Sequence, residues 1–503
     1  MLAQVAYRPA LLYIDSAKYL VGSGGTAPEG YQVLLRLLDP VGGLALVAAV
    51  QHVFGLAMAI VLYALVIRRG GPRWAAALAA APVLLDAYQL QLEQTVMPDV
   101  MFETLITAGL VLLLWPRRAS RSPWPVAAGA LVLGLTAAVR EIGGVLIVPA
   151  VVFAALTVPG WRREAARAVL AAACFALPGL GYMTGAYVVT GHFGLASNGP
   201  GPEYGRAAAA ADCATLAVPA DERALCPSPA ETLALGGIDG LLHNPDSPGH
   251  TVPVPPGVTR GQLLDRFSLA VFRQQPLRVA ASVARDSVRL FALTRDGDPQ
   301  VTSIARWQFQ LFYPAYPHRY PMAVFTRLAR GHGSGGDLVA VEPAAAILRG
   351  YQLGGGCTPG PVYAAGLAAG LLGALSGLVK RRTLSAADRE AATDRELATD
   401  RELATDRELA TGRELATGRE LATACLLVTL AAVVLLVSSD AFEFSWRYQL
   451  PAVVMLPLAG VLGLTAVTAR IRRATAARTA TGGTGRRTRP ASAESGPRAP
   501  AAR

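Results

Sequence analysis

The sequence predicts an all-α polytopic membrane protein with about nine transmembrane helices and a large mixed outer loop domain. Three observations lead there. Hydrophobic residues make up 52% of the 503-residue chain and charged residues only 16%, with a mean hydropathy of +0.38; soluble domains carry about 25% charged residues. Apolar runs recur with lengths near the roughly 20 residues that cross a bilayer core. Arginine clusters fall on alternate connections, the pattern of a positive-inside topology. The richness in Ala, Gly, Pro and Arg with little Lys reflects a GC-rich genome and carries no functional meaning.

Nine apolar segments cover approximately 42–66, 75–91, 98–115, 124–139, 142–158, 168–189, 360–379, 422–438 and 448–469. Basic clusters follow the first, third, fifth, seventh and ninth: Arg68, Arg69 and Arg73; Arg117, Arg118 and Arg121; Arg162, Arg163 and Arg167; Lys380, Arg381 and Arg382; and the C-terminal tail. The other connections are poor in Lys and Arg. All basic connections therefore lie on one face, which is cytoplasmic. Nine spans then put residues 1–41 outside, with no basic n-region and apolar h-region ahead of them. The expectation is an additional helix before Met1, making about ten spans in all, with a short translocated N-tail as the alternative.

The chain divides accordingly. Residues 1–41 form a first outer loop, 42–189 six spans, 190–358 an extracytoplasmic loop domain, and 359–380 the seventh span. Residues 381–421 form a cytoplasmic linker, 422–469 two more spans, and 470–503 a basic disordered cytoplasmic tail. That tail holds nine Arg and one Glu from Arg470 onward. With no aromatic residues between the arginines it reads as lipid-facing, not nucleic-acid-binding.

The outer loop domain contains DCATLAVPADERALC, so an oxidising outer face predicts a Cys213–Cys226 disulfide. Cys174 and Cys425 fall within spans and read as packing residues. In PLRVAASVARDSVRLFALTRD, Val279, Val283, Leu290 and Leu293 share a helical face. That helix either lies along the membrane interface or belongs to a small outer domain. Residues 388–423 repeat a six-residue unit of DREAAT and DRELAT type six times. Six residues advance a helix by about 600°, so no apolar stripe persists and coiled-coil packing fails. The reading is a solvent-exposed, partly helical linker without a functional role.

Chemistry is expected at the outer turns. Each places ionisable groups at the membrane boundary: Asp15; then Asp86, Glu93, Asp99 and Glu103; then Arg140 and Glu141; then Asp440, Glu443, Arg447 and Tyr448. Such groups are costly at membrane depth and face a cavity or a partner. Carboxylates can serve as general base or hold a divalent cation. Arginines can clamp a phosphate. A lipid-borne phosphate sits at headgroup level, where Arg140 and Arg447 belong.

These residues, in this order, resemble the GT-C superfamily of polyprenyl-phosphate-dependent glycosyltransferases, which includes protein O-mannosyltransferases and the lipid A aminoarabinose transferase. YRPALLYIDSAKYL looks like that family's first outer loop, with Asp15 in the catalytic position. APEGYQVLLRLL matches its Pro-x-Gly-Tyr element through Pro28, Gly30 and Tyr31. MPDVMF supplies the second acid, Asp99, with Glu93 nearby. AVREIG and SWRYQLP supply the arginines Arg140 and Arg447, the latter with Tyr448. The matches span roughly 7–190 and 425–470; the outer loop domain has none, and the family's first helix is missing.

The resemblance implies an inverting transferase in the plasma membrane, with its site on the extracytoplasmic face. Asp15 would be the general base. Arg140, Arg447 and Tyr448 would hold the donor phosphate. Glu93 and Asp99 would support the site or bind a divalent cation, a point on which the family is divided. The implied partners are a polyprenyl-phosphate-linked sugar and an acceptor protein, cell-wall glycan or lipid, with no nucleic acid. The alternatives are a transporter or flippase of a lipid-linked glycan and a non-catalytic cell-envelope assembly protein. A flippase more often shows symmetric broken helices with charges near mid-membrane, and this sequence shows neither. No phosphate-cradling Gly-rich loop follows a strand, which argues against nucleotide-sugar chemistry.

Overall fold

A computed structural model describes residues 2–22, 27–116, 122–196, 203–295, 297–298, 301–313, 321–333, 337–378 and 401–482; side chains are described within these ranges except at 378, 401–417, 473 and 476–482. The described chain is overwhelmingly helical. Its only strands are the two-residue pieces Tyr7–Arg8 and Val339–Ala340, which pair antiparallel. Among its described residues, the regular structure of the 190–358 segment is helical apart from Val339–Ala340. Its many Pro and Gly residues break it into pieces, several of them as short as Tyr204–Ala210 and Gly237–His243.

All nine apolar segments fall largely on helices, and among the described residues five helices are long and apolar enough to cross a membrane: Gly30–Arg68, Trp161–Thr190, Gly360–Gly377, Gly418–Phe442 and Pro451–Arg472. A sixth span is made if Arg73–Leu85 and Ala87–Gln94, bent by 50° at Asp86, count together. Asp99–Leu114, Trp124–Val139 and Glu141–Leu156 are 16-residue helices. At 1.5 Å per residue each is about 24 Å long, short of the roughly 30 Å hydrocarbon core. The expected count of nine spans is not confirmed among the described residues, because apolar composition marks a segment as membrane-compatible without setting its helical length.

Several boundaries also shift. The first long helix begins at Gly30, within what the sequence assigns to the outer loop, and carries a break at Gly43, where φ is +60°. There a Cβ would approach the His332 carbonyl oxygen to 2.7 Å, so a side chain is excluded twice over. The repeat segment is continuous with a span: one helix runs from Arg401 to Phe442. The last helix continues from Pro451 to Gly482, so 470–482 is helical and not disordered. The remaining tail from 483, the first repeats from 388 to 400, and the clusters at Arg117, Arg118, Arg121, Lys380, Arg381 and Arg382 lie outside the described residues.

The bundle buries small residues at its seams and leaves large ones facing outward. Gly366 and Gly460 face each other, with a Cβ on Gly460 only 2.7 Å from the Gly366 Cα. A Cβ on Gly463 would lie 1.9 Å from the Ala369 carbonyl oxygen. Close backbone approach of this kind replaces the hydrophobic drive that lipid cannot supply. We expect Gly463→Leu to cost about 1–3 kcal/mol or more from overpacking. Thermal unfolding in detergent measures it, with Gly179→Leu, at an open position, as the neutral control. On the outer faces, Val53, Ile60, Leu177 and Val188 are each at least 59% exposed, as lipid contact allows.

Residues 204–271 form a second small core around Tyr204, Leu263 and Phe267. Cys213 and Cys226 are joined there, 5.8 Å apart at Cα. Cross-linking a loop of this size stabilises by about 3 kcal/mol on the chain-entropy model. Cys213→Ser should lower the unfolding temperature by that equivalent and erase any effect of added reductant. Cys174 and Cys425 are free thiols within helices. The amphipathic Pro276–Arg289 helix packs on the end of the Arg401–Phe442 helix. Arg206 joins them, pairing with Asp286 at 2.7 Å and donating to the Asp440 carbonyl oxygen. Leu277 on this helix and Leu293 just after it remain 83% and 75% exposed.

A buried two-arginine, two-carboxylate cluster

Asp99 is the centre. It opens the Asp99–Leu114 helix just after Pro98 and is 2% exposed. A carboxylate there complements the positive end of the helix dipole. Arg447 approaches it side-on: Nε lies 3.0 Å from both carboxylate oxygens and Nη2 3.0 Å from Oδ2. Arg140, at the C-terminal end of the Trp124–Val139 helix, donates from Nη1 to Asp99 Oδ1. The remaining Nη1 of Arg447 donates to Asp15 Oδ2 at 2.8 Å. Lys18 Nζ closes the set, 3.4 Å from Asp15 Oδ1.

Each member is delivered by a different piece of chain. The Asp15 loop is stitched down by backbone bonds: Leu11 N donates to the Gln94 carbonyl and Val96 N to the Leu11 carbonyl, both at 2.9 Å. The hydroxyl of Tyr313 accepts from Leu12 N and donates to the Ala10 carbonyl. Ser16 Oγ accepts from Tyr13 N, turning the chain into the short Ser16–Val21 helix. Arg447 sits in the irregular turn before the last helix.

Aromatic faces complete the walls. Tyr448 lies beneath both guanidinium groups, 4.9 Å from Arg140 and 5.5 Å from Arg447, ring centroid to Cζ. Trp307 covers the other side of Arg447 at 5.6 Å and meets Tyr13 at 4.4 Å. Tyr88, Gln91, Leu92, Trp307 and Leu450 close around Arg447, with no room for a water molecule between them. Gln91 Oε1 and Trp307 Nε1 are buried there without hydrogen-bond partners.

The electrostatics are balanced but not neutral. Three cations meet two carboxylates, leaving room for one more negative charge. Burial raises the Asp15 carboxyl, but Lys18 and Arg447 outweigh it and hold it below the usual carboxylate range. Burial would favour loss of the Arg447 proton, yet Asp99 and Asp15 keep it firmly charged. Asp15 remains the accessible acid, with its side chain 30% exposed against 2% for Asp99.

Five of the expected site residues therefore meet: Asp15, Asp99, Arg140, Arg447 and Tyr448. Glu93 does not join them. It pairs with His52, whose Nδ1 lies 2.7 Å away, and accepts from Gln89. Tyr31 is fully buried; its hydroxyl donates to Gln51 Oε1 at 2.8 Å and its ring stands edge-on to Tyr19. Both act as supports of the helices and not as cluster members. Asp86 is likewise structural: it caps the Ala87–Gln94 helix and pairs with Arg295 at 2.9 Å. Both Asp99 oxygens accept from guanidinium donors.

Lys18 and Trp307 are cluster members that sequence reasoning misses. Lys18 carries a signal, standing three residues after Asp15 on the same turn of helix. Trp307 carries none, being one aromatic residue in a long loop. Glu443 stands close by, and burial, reinforced by the nearby Asp239 charge, pushes it up to about 7 against the opposing Thr302 hydrogen bond. Comparison of the chain with family models, curated proteins and solved structures finds no match.

Proposed function

We propose that this chain is a membrane glycosyltransferase, moving a sugar from a polyprenyl-phosphate donor to an acceptor hydroxyl on the outer face of the membrane. The observation that carries the reading is the Asp15–Arg447–Asp99–Arg140 chain. It joins a partly exposed carboxylate to two arginines at one end of an apolar helix bundle, with one positive charge in excess.

A lipid phosphate is the anion this arrangement suits. Its tail can lie among apolar helices while its oxygens take the guanidinium donors. Arg447 is then shared between the phosphate and Asp15. As the phosphate draws Nη1 away, Asp15 loses its strongest partner and becomes a better base. It accepts the proton of the acceptor hydroxyl while that oxygen bonds to the anomeric carbon. The bond from that carbon to the phosphate oxygen breaks, and the lipid phosphate leaves with the electron pair. A single displacement of this kind inverts the anomeric centre. Arg140 and Arg447 stabilise the charge that grows on the leaving phosphate, where preorganised donors act most strongly. Asp99 positions both arginines and touches neither reacting atom.

The test is an in vitro transfer assay on the full chain in proteoliposomes, offered a panel of polyprenyl-phosphate sugars. Sugar-dependent release of free polyprenyl phosphate is expected from one of them. Movement of an intact lipid-linked sugar across the bilayer, with no bond cleaved, would instead establish a flippase.

A further inference from the structure

One other set of side chains converges, outside the arginine cluster. Asp239 and His243 stand four residues apart on the Gly237–His243 helix, which places them on one face. Glu443 arrives from the far end of the chain, immediately after the Arg401–Phe442 helix. Each residue can offer one ligand atom, and the three atoms lie within 4.8 Å of one another.

We propose that Asp239, His243 and Glu443 bind a zinc-type divalent ion that clips the outer loop domain to the turn carrying Arg447. The donor set argues for the metal class. One imidazole and two carboxylates suit zinc, whereas magnesium and calcium favour all-oxygen shells. Three protein ligands leave a fourth position open to water or to a bound group. Only small side-chain movements separate the present spacing from a tetrahedral shell with bonds of about 2.0–2.2 Å.

Charge gives independent support. Glu443 is 4% exposed and accepts a neutral hydrogen bond from the Thr302 hydroxyl. The nearby cation, Arg306, is already held by Asp239 at 2.9 Å. Two carboxylates thus share one positive charge in a partly buried place, a deficit that a divalent ion corrects. The location gives the ion a role. Glu443 lies one helical turn's length of chain before Arg447, and Arg306 directly precedes Trp307, the residue covering Arg447. A metal here would fix both approaches to that arginine. The binding claim stands whether or not the chain transfers sugars.

The experiment uses the tag-free full chain in detergent, stripped with chelator and titrated with zinc. Bound metal is quantified by elemental analysis after gel filtration. One equivalent is expected, together with a rise in unfolding temperature. His243→Ala and Glu443→Gln should each weaken binding at least about tenfold, the low end of what even outer-shell partners of a metal cost, and abolish the thermal shift. His243 is exposed, and comparing the stripped variant with the stripped wild type separates the effect of the substitution itself from the loss of metal. Failure of the wild type to bind zinc, binding that survives His243→Ala unchanged, or magnesium binding as tightly as zinc would each overturn the proposal.

Discussion

Asp15→Asn is expected to lower sugar transfer by about 10²–10⁴-fold, the usual contribution of a general base, while the protein still inserts and folds. The asparagine keeps the shape and can still accept from Arg447 Nη1, so the loop stays in place. It cannot take a proton at neutral pH. Against the opposing effect of burial, Lys18 and Arg447 hold the carboxyl below its usual range, so loss of its charge costs some stability, but less than removal of the more deeply buried Asp99. The discriminating readout is the split between binding and turnover. Donor affinity should hold or tighten, because a neutral amide competes less than a carboxylate with phosphate for Arg447, while the turnover rate collapses. A mutant with full turnover would remove Asp15 from the reaction.

Asp99→Ala should be the most destabilising single change in the cluster. Asp99 is 2% exposed and takes donors from two arginines. Removing it leaves Arg140 and Arg447 facing each other with no carboxylate between them. Breaking a buried pair by deleting one partner costs about 3–5 kcal/mol, a large fraction of ordinary stability. Unfolding in detergent, followed by loss of monodispersity on heating, measures it. Asp99→Asn retains the shape and part of the hydrogen bonding, and should fall between wild type and Ala. If Asp99→Ala unfolds like the wild type, the carboxylate is not the keystone of the cluster.

The two substitutions separate positioning from chemistry. Asp15→Asn should impair turnover far more than stability. Asp99→Ala should impair both, because it acts through the arginines. Were both acids merely structural, their effects would follow burial alone.

Much of the site was legible along the chain. Ionisable residues are rare in apolar segments, so Asp99, Arg140 and Arg447 stand out at segment ends without any structure. Their desolvation cost demands partners, and the available partners are one another. Glu93 misled for the same reason. Its cost is met by His52 on the neighbouring helix, and nothing in the sequence says which of several nearby groups will satisfy a buried acid. Glu443 stood out in the sequence, but its convergence with Asp239 and His243 did not, because about 200 residues separate the helix from the loop and such a convergence has no local signature.

The sequence by itself determined the helical class, the apolar segments and the residues that would be expensive to bury. Those are local properties: hydropathy, period and charge are written into short windows of chain. Only the tertiary structure decided how long each helix runs, where it bends and which charge meets which. Helix length depends on the backbone breaks at Gly43 and Asp86 and on packing against neighbours, not on apolar composition. Pairing depends on helices being brought side by side, which is how Asp15 and Arg447, 432 residues apart, come to share a hydrogen bond.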